Sequence, residues 1–211
     1  MGNCCKCLKY FYKHKKNGKH SENMEISDAN SMEEMSVRWV DILKNSTNDS
    51  ISDFSLCGLH TLCKVVDIYD ADTFRVVFFK HKDDKEPMKL KVRAAGCNAA
   101  EMYPLKSHPN RKEEMKKARL ARNRLVQLVT DVKIDVENIQ YSKEEISDML
   151  SDNKKLVYIE FGKFDKYGRV LGTLYLDENK ENSVNQMLIT ENHAVSYNGG
   201  KRNKNKLTVK D

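Results

Sequence analysis

Three short clusters of charged side chains have residue types and spacings that suit chemistry on a phosphate group. Asp70 and Asp72 lie two residues apart where one strand ends and the next begins, so their carboxylates can converge on a hard cation. Arg93 lies near the end of a third strand, eight residues before Glu101, and the tight loop 165–169 supplies a second arginine. Guanidinium groups can bind a phosphate and stabilise its transition state, a cation adds to that charge, and a carboxylate can steer water. Each cluster alone is ordinary, but their joint order along the chain predicts phosphodiester hydrolysis.

The elements that must position these clusters follow from the hydrophobic pattern. Runs rich in Val, Ile and Phe predict five strands, and two amphipathic segments predict helices. The predicted strands are Leu62–Asp67, Thr73–Lys80, Met88–Ala95, Leu156–Phe161 and Val170–Leu176, and the predicted helices are Arg111–Thr130 and Ser183–Glu191. Residues 131–153 form an acidic, helix-prone insertion. This order predicts an α+β fold that is mainly β, a five-stranded antiparallel OB-fold-like barrel with two or three packed helices.

Four motifs on this frame resemble the staphylococcal nuclease, or thermonuclease, domain family. They read VVDIYDADT at 65–73, VRAAGCNAAE at 92–101, DKYGR at 165–169 and AVSYNGGK at 194–201. The resemblance runs from about Cys63 to Lys201 and implies an OB-like barrel with helices, in agreement with the pattern. It also implies a Ca²⁺-dependent, sugar-nonspecific nuclease that acts on DNA and RNA and leaves 3′-phosphates.

The resemblance implies a role for each matching residue. Asp72 falls on the family's calcium-ligand aspartate, and Arg93 and Arg169 fall on its two phosphate-binding catalytic arginines. Glu101 falls on the glutamate that positions or deprotonates the attacking water. The implied substrate-binding positions are Tyr167, Tyr197, Lys166 and Lys201.

The chain departs from the family pattern at the second metal-ligand carboxylate, where it carries Asn98. An amide oxygen can still ligate Ca²⁺, but one negative charge is lost, so the affinity for Ca²⁺ should fall. Asp70 and Ala99 complete the predicted metal positions, and Asp70 is a candidate to restore the lost charge. Ala100 stands where the family has proline, which leaves the turn that presents Glu101 less restrained. The alternative to an active nuclease is a catalytically weak or silent module that binds nucleic acid or a protein partner through the same barrel.

The net charge of +6 is distributed unevenly along the chain. Residues 1–20 carry lysines and no acid, residues 21–61 are acidic, and the remainder is moderately basic. A basic body is compatible with a polyanionic substrate without establishing one. We predict a basic Cys-rich head at 1–20, an acidic spacer at 21–61 with a short helix at Ser31–Lys44, a nuclease-like domain at 62–201 and a polar tail at 202–211.

The head combines a candidate acceptor for myristate, Gly2, with three candidates for palmitate, Cys4, Cys5 and Cys7. An acyl chain with a second chain or a polybasic patch makes membrane anchoring stable, so we expect an intracellular protein tethered through its head. Lys6 departs from the acylation pattern, which has Ser or Thr there. A disordered basic tail and a nucleic-acid-binding tail are the alternatives, and a metal site is less favoured because a fourth ligand is not evident. The sequence shows no secretory signal and no apolar run long enough to span a membrane, and it leaves the oligomeric state open.

Overall fold

The computed structural model describes residues 37–137 and 140–197. Contacts divide the chain into two units between residues 54 and 55. In the first unit a helix, α1, covers residues 37–45 and overlaps the predicted helix Ser31–Lys44. The predicted head at 1–20, the beginning of that helix and the tail at 202–211 lie outside the described residues. Within the described ranges, no helix combines the length and the apolar character needed to cross a bilayer.

The second unit contains a closed five-stranded barrel. The strands of this unit are β1 (His60–Asp70), β2 (Thr73–Phe78), β3 (Met88–Ala94), β4 (Cys97–Ala99), β5 (Val157–Phe164), β6 (Val170–Tyr175) and β7 (Ala194–Ser196). The barrel pairs in the order β1-β2-β3-β6-β5. The α+β fold with an OB-like barrel is confirmed.

One pairing in the barrel differs from the prediction. The barrel is mixed rather than antiparallel, because β3 and β6 run parallel, with Val92 opposite Val170. The other neighbouring strands are antiparallel, as expected. The connection from β3 to β6 includes helices and is long enough to let the second strand enter in the same direction as the first, which a short hairpin cannot do.

Alternating side chains fill the interior of the barrel. Along β5, Val157, Ile159 and Phe161 are buried, and the residues between them are half-buried. Gly172 on β6 lies where the barrel closes, and a Cβ at that position would lie 2.8 Å from Val92 Cγ1 and 3.0 Å from Ile159 Cδ1. The close approach of β3, β5 and β6 therefore requires glycine at this point.

The helices described in the same unit are α2 (Arg111–Val129), α3 (Lys143–Asp152) and α4 (Val184–Thr190). The first and last confirm the two predicted helices, and α3 lies in the helix-prone insertion. A capping box begins α3: Ser142 Oγ accepts a hydrogen bond from the Glu145 N–H at 3.1 Å, and Glu145 Oε2 accepts one from the Ser142 N–H at 2.7 Å. These bonds satisfy backbone donors that the first helical turn leaves unpaired.

Strands β4 and β7 form a separate two-stranded sheet that the sequence pattern did not predict. Asn98 pairs with Val195 at its centre. The chain enters β4 through Gly96, whose φ of +67° is readily adopted by glycine, and the Gly96 carbonyl accepts a hydrogen bond from the Tyr197 N–H at 2.9 Å. Each strand has three residues, which is too short to show a hydrophobic period. The sheet holds the chain that follows β3 next to the end of that strand.

Candidate active site

The carboxylate of Asp72 is the centre of the charged cluster at the β1–β2 turn. It is buried, and its Oδ1 forms an ion pair with the guanidinium of Arg93. Oδ1 also accepts a hydrogen bond from the hydroxyl of Thr73 at 3.0 Å, while Oδ2 accepts one from the backbone N–H of Ala99 at 2.7 Å. This one carboxylate therefore connects the first turn of the barrel to β3 and β4.

The guanidinium of Arg93 is held on two sides. Its side chain is 12% exposed. Nη1 donates to the backbone carbonyl of Asp72 at 3.2 Å, and Nη2 donates to Oδ1 of Asn98 at 2.8 Å. Arg93 is brought to this place by its register opposite Thr73, and Asn98 is brought there by β4. Contacts of this kind fix the orientation of the guanidinium plane, since its N–H groups point in set directions.

Two further carboxylates add negative charge beside this pair. Asp70 is buried, and its Oδ1 accepts a hydrogen bond from the Asp72 N–H at 3.3 Å. Burial, and then the charge of Glu101, raise the pKa of Asp70 to about 6, and Arg93 only partly offsets them. Glu101 is positioned by its backbone N–H, which donates to Oε1 of Glu114 on the first turn of α2 at 3.1 Å. The pocket therefore carries more negative charge than Arg93 balances.

The side chains around this pocket offer oxygen atoms, which are the ligands that a hard cation prefers. They are the carboxylates of Asp70, Asp72 and Glu101 and the amide oxygen of Asn98, and Ca²⁺ prefers oxygen ligands. Across residues 37–137 and 140–197, no group of three or more His, Cys, Asp and Glu side chains is arranged to hold a metal ion. The amide or a backbone carbonyl would therefore have to complete the set. Ala99 gives its N–H to Asp72, so only its carbonyl has the chemistry of a ligand.

The second arginine lies in the turn between β5 and β6. Arg169 Nε and Nη2 both contact Oδ2 of Asp165 at 2.7 Å. The other carboxylate oxygen, Oδ1, accepts from the N–H groups of Tyr167 at 2.8 Å and Arg169 at 2.9 Å. Burial acts to raise the pKa of Asp165, but these hydrogen bonds outweigh it and lower the pKa. Gly168 closes the turn at a φ of +74°.

The remaining predicted substrate-binding residues differ in how they are placed. Tyr167 is 72% exposed, with Lys166 Nζ 5.0 Å and the Arg169 guanidinium carbon 5.5 Å from its ring centre. Tyr197 is anchored through its backbone to the turn before β4. Lys201 and the predicted acylation positions lie outside the described residues, the latter being Gly2, Cys4, Cys5 and Cys7.

The two arginine clusters come from neighbouring strands. Arg169 immediately precedes Val170, the first residue of β6, and Val170 lies opposite Val92, which directly precedes Arg93 on β3. A protein-family model described as staphylococcal nuclease homologue matches residues 91–210, which is more than half of the chain. The chain belongs to this family. No curated protein matches it. The matched region of this staphylococcal nuclease homologue begins after Asp72 and includes both arginines.

Three residues that position the side chains of the candidate site were not identified from the sequence of this staphylococcal nuclease homologue. Thr73 donates to Asp72, and Glu114 accepts from the backbone of Glu101. The carboxylate of Asp165 contacts both the backbone N–H and the guanidinium of Arg169. The spacing of four residues within one tight loop could have indicated this pair in the sequence. The acid at 114 could be recognised in the sequence only as a favourable charge at a helix N-terminus, which says nothing about its partner.

Proposed function

We propose that this staphylococcal nuclease homologue hydrolyses the phosphodiester bonds of DNA and RNA in a Ca²⁺-dependent reaction that leaves 3′-phosphates. The family makes nucleic acid the substrate class to expect. The observation that carries the proposal is the contact of Arg93 with Asp72 and Asn98. This contact fixes the guanidinium of Arg93 beside the carboxylates of Asp70 and Glu101. The pocket then combines a positively charged group that can bind phosphate with carboxylates that can act on water.

In the proposed reaction Arg93 and Arg169 bind the nonbridging oxygens of the scissile phosphate and stabilise the negative charge that develops on them. Glu101 orients a water molecule and accepts its proton as the water oxygen bonds to phosphorus. The bond from phosphorus to the 5′ oxygen breaks, the 5′ oxygen takes up a proton from water and leaves as a hydroxyl, and the phosphate stays on the 3′ oxygen.

Asp70, Asp72, Asn98 and the carbonyl of Ala99 would hold Ca²⁺, which supplies positive charge next to the phosphate when it is bound. The neutral amide weakens that binding relative to a carboxylate. Burial, and then the charge of Glu101, raise the pKa of Asp70, and the negative charge of these two carboxylates favours a cation at this place. Protonation of Asp70 competes with the cation, so Ca²⁺ should bind more weakly below pH of about 6.

Substrate contacts beyond the phosphate are proposed for Tyr167 and Lys166, with Tyr197 and Lys201. The exposed ring of Tyr167 lies against Lys166 and Arg169, which suits a base or sugar next to a bound phosphate. These contacts involve stacking faces and phosphates, so they give no preference between DNA and RNA.

A second function is supported by the same contact. Asn98 stands in the place of a charged ligand, and its amide oxygen accepts a hydrogen bond from Arg93. If no cation binds, Arg93 stays in its contacts with Asp72 and Asn98. The barrel would then bind nucleic acid or a protein partner and would cut slowly or not at all.

Cleavage of single-stranded DNA by the full-length protein, with Ca²⁺ titrated from micromolar to millimolar, separates the two functions. Arg93→Gln should lower the rate about 100- to 1000-fold, because it removes a donor that stabilises the transition state. Arg38→Gln on α1 is the matched control, makes the same change in charge and should cut as the wild type does. Cleavage that survives in Arg93→Gln contradicts the proposed mechanism. A wild type that does not cut, together with an Asn98→Asp variant that does, establishes the second function.

The membrane tether stays a proposal based on the sequence of the head. Gly2 would carry myristate, and Cys4, Cys5 and Cys7 would carry palmitate, which with the lysines gives more than one anchoring element. Fractionation of cells that express the wild type or Gly2→Ala tests it. The variant should move from the membrane fraction to the soluble fraction, and equal membrane recovery would refute acylation at that residue.

A further inference from the structure

A row of basic side chains runs along β3 towards the candidate active site. Lys89, Lys91 and Arg93 alternate with Leu90 and Val92, and the burial pattern places the two lysines on the exposed face while Val92 fills the barrel. Alternate residues of a strand lie about 7 Å apart on one face. This spacing lies in the range of successive phosphates in an extended single strand of nucleic acid.

The neighbouring strand places no acid opposite the two lysines of β3. Lys91 lies directly opposite Arg75 on β2, and Lys89 lies opposite Val77. Within the part of the chain that the structure describes, neither lysine takes part in an ion pair, while Arg75 contacts Asp67 at 3.4 Å. Like charges directly opposite each other on a sheet are destabilising. A polyanion lying across this face would remove that repulsion.

An aromatic pair adjoins the carboxylates of Asp70 and Glu101. The rings of Tyr69 and Tyr103 lie 6.1 Å apart, and the side chains are 48% and 67% exposed. Tyr69 directly precedes Asp70, and Tyr103 follows Glu101 by two residues. Proteins that bind single strands combine a basic track for the phosphates with exposed aromatic rings on which unpaired bases stack.

We propose that a single strand of nucleic acid lies along the outer face of β3, with phosphates on Lys89 and Lys91, the scissile phosphate at Arg93 and bases on Tyr69 and Tyr103. The inference rests on the proposed function in taking Arg93 as the place of cleavage. It assigns the route by which the strand enters and the side chains that hold it there. A duplex keeps its bases stacked on each other and cannot use the aromatic pair.

Binding of a fluorescein-labelled oligothymidylate to the full-length protein, followed by anisotropy in EDTA, tests the route without cleavage. Lys89→Gln combined with Lys91→Gln should reduce the slope of log affinity against log salt by about 1.4, because each lost phosphate contact on a single strand removes about 0.7. At a salt concentration of about 50 mM the affinity should fall on the order of 50-fold. Size-exclusion chromatography and circular dichroism check that the variant is folded and monodisperse.

Lys143→Gln combined with Lys154→Gln is the matched control. Both lysines are exposed: Lys143 is the first residue of α3, and Lys154 follows its last residue by two. The net charge changes by the same amount as in the β3 variant. This control should bind nearly as the wild type does. An equal loss of affinity in both double variants would show that binding responds to net charge alone. Unchanged affinity in the β3 variant would exclude the route. Either result overturns the proposal.

The aromatic part of the proposal has its own measurement. Tyr103→Ala should weaken binding of the oligothymidylate roughly tenfold and leave binding of a duplex of equal length unchanged. An equal loss for both probes overturns the assignment to single strands. The two proposals fail in different ways. If the protein binds through β3 but does not cut, the proposed function fails and this inference stands. If it cuts but its binding does not depend on the β3 lysines, this inference fails and the proposed function stands.

Discussion

Replacing Asp70 by asparagine should make the protein more stable at high pH and leave it nearly unchanged at low pH when no divalent cation is present. Asp70 is buried, and burial together with the charge of Glu101 raises its pKa to about 6 from an ordinary value of 3.8. Asparagine keeps the size of the side chain and an Oδ1 that can accept the hydrogen bond from the Asp72 N–H. The substitution therefore removes the charge while keeping this hydrogen bond.

The direction of the change in stability depends on whether the folded or the unfolded state binds the Asp70 proton more tightly. The folded state holds the Asp70 proton more tightly than the unfolded state, so the protonated carboxyl stabilises the fold at low pH. This contribution is lost as the pH rises from the ordinary value of 3.8 through about 6. A difference of about two pKa units, at 1.36 kcal/mol each, makes ionised Asp70 cost the folded state about 3 kcal/mol at neutral and higher pH. The amide of an asparagine at this position cannot ionise, so the variant avoids this cost.

Urea unfolding in EDTA at about pH 4 and about pH 8 measures the effect as a difference in the free energy of unfolding. The gain of Asp70→Asn over the wild type should grow by about 2–3 kcal/mol between the two pH values. Asp67→Asn is the matched control, because Asp67 is half-exposed in its pair with Arg75 and should contribute less than about 1 kcal/mol at either pH. A gain independent of pH, or a loss of stability at the higher pH, would refute the reasoning.

Three further substitutions probe the barrel and its surface. Gly172→Ala should lower the free energy of unfolding by about 1–3 kcal/mol, since the added carbon would lie 2.8 Å from Val92 Cγ1; unchanged urea unfolding would show that the barrel yields at this point. Lys91→Thr should raise it by about 0.5 kcal/mol by removing the repulsion from Arg75, and should weaken oligothymidylate binding; a less stable variant would contradict the account of that face. Gly168→Ala meets no neighbouring atom but needs a φ of +74°, so it should lower the free energy of unfolding by about 1–2 kcal/mol, and thermal unfolding without such a loss would show that the turn adapts.

Elements whose burial follows a local period could be predicted from the sequence. The strand expected at Leu156–Phe161 is observed as β5 at Val157–Phe164, and the helix expected at Arg111–Thr130 is α2 at Arg111–Val129. In both cases the apolar side chains recur at the spacing of the element, so each segment carries its own evidence. The five strands of the barrel were found for the same reason.

Partners that are distant in the sequence could not be predicted from a local period. The period of β3 and β6 shows that each is a strand, but not that they pair in parallel through Val92 and Val170. The sheet formed by β4 and β7 has too few residues to show any period. The sequence suggested that Asp70 and Asp72 converge on a cation, but it could not show that Asp72 also contacts the guanidinium of Arg93, which the register of β2 against β3 brings there.

The parallel pairing of β3 with β6 also determines when the two arginines can first act together. The chain between these strands carries β4, two helices and β5, so closing the barrel joins segments far apart in the sequence, and such contacts form slowly in folding. A ribosome-bound chain that has been made as far as α2 contains Arg93 but neither Arg169 nor the strand that closes the barrel. Such a chain has half of the phosphate-binding pair, so under the proposed function it cannot yet cut the message that is being translated.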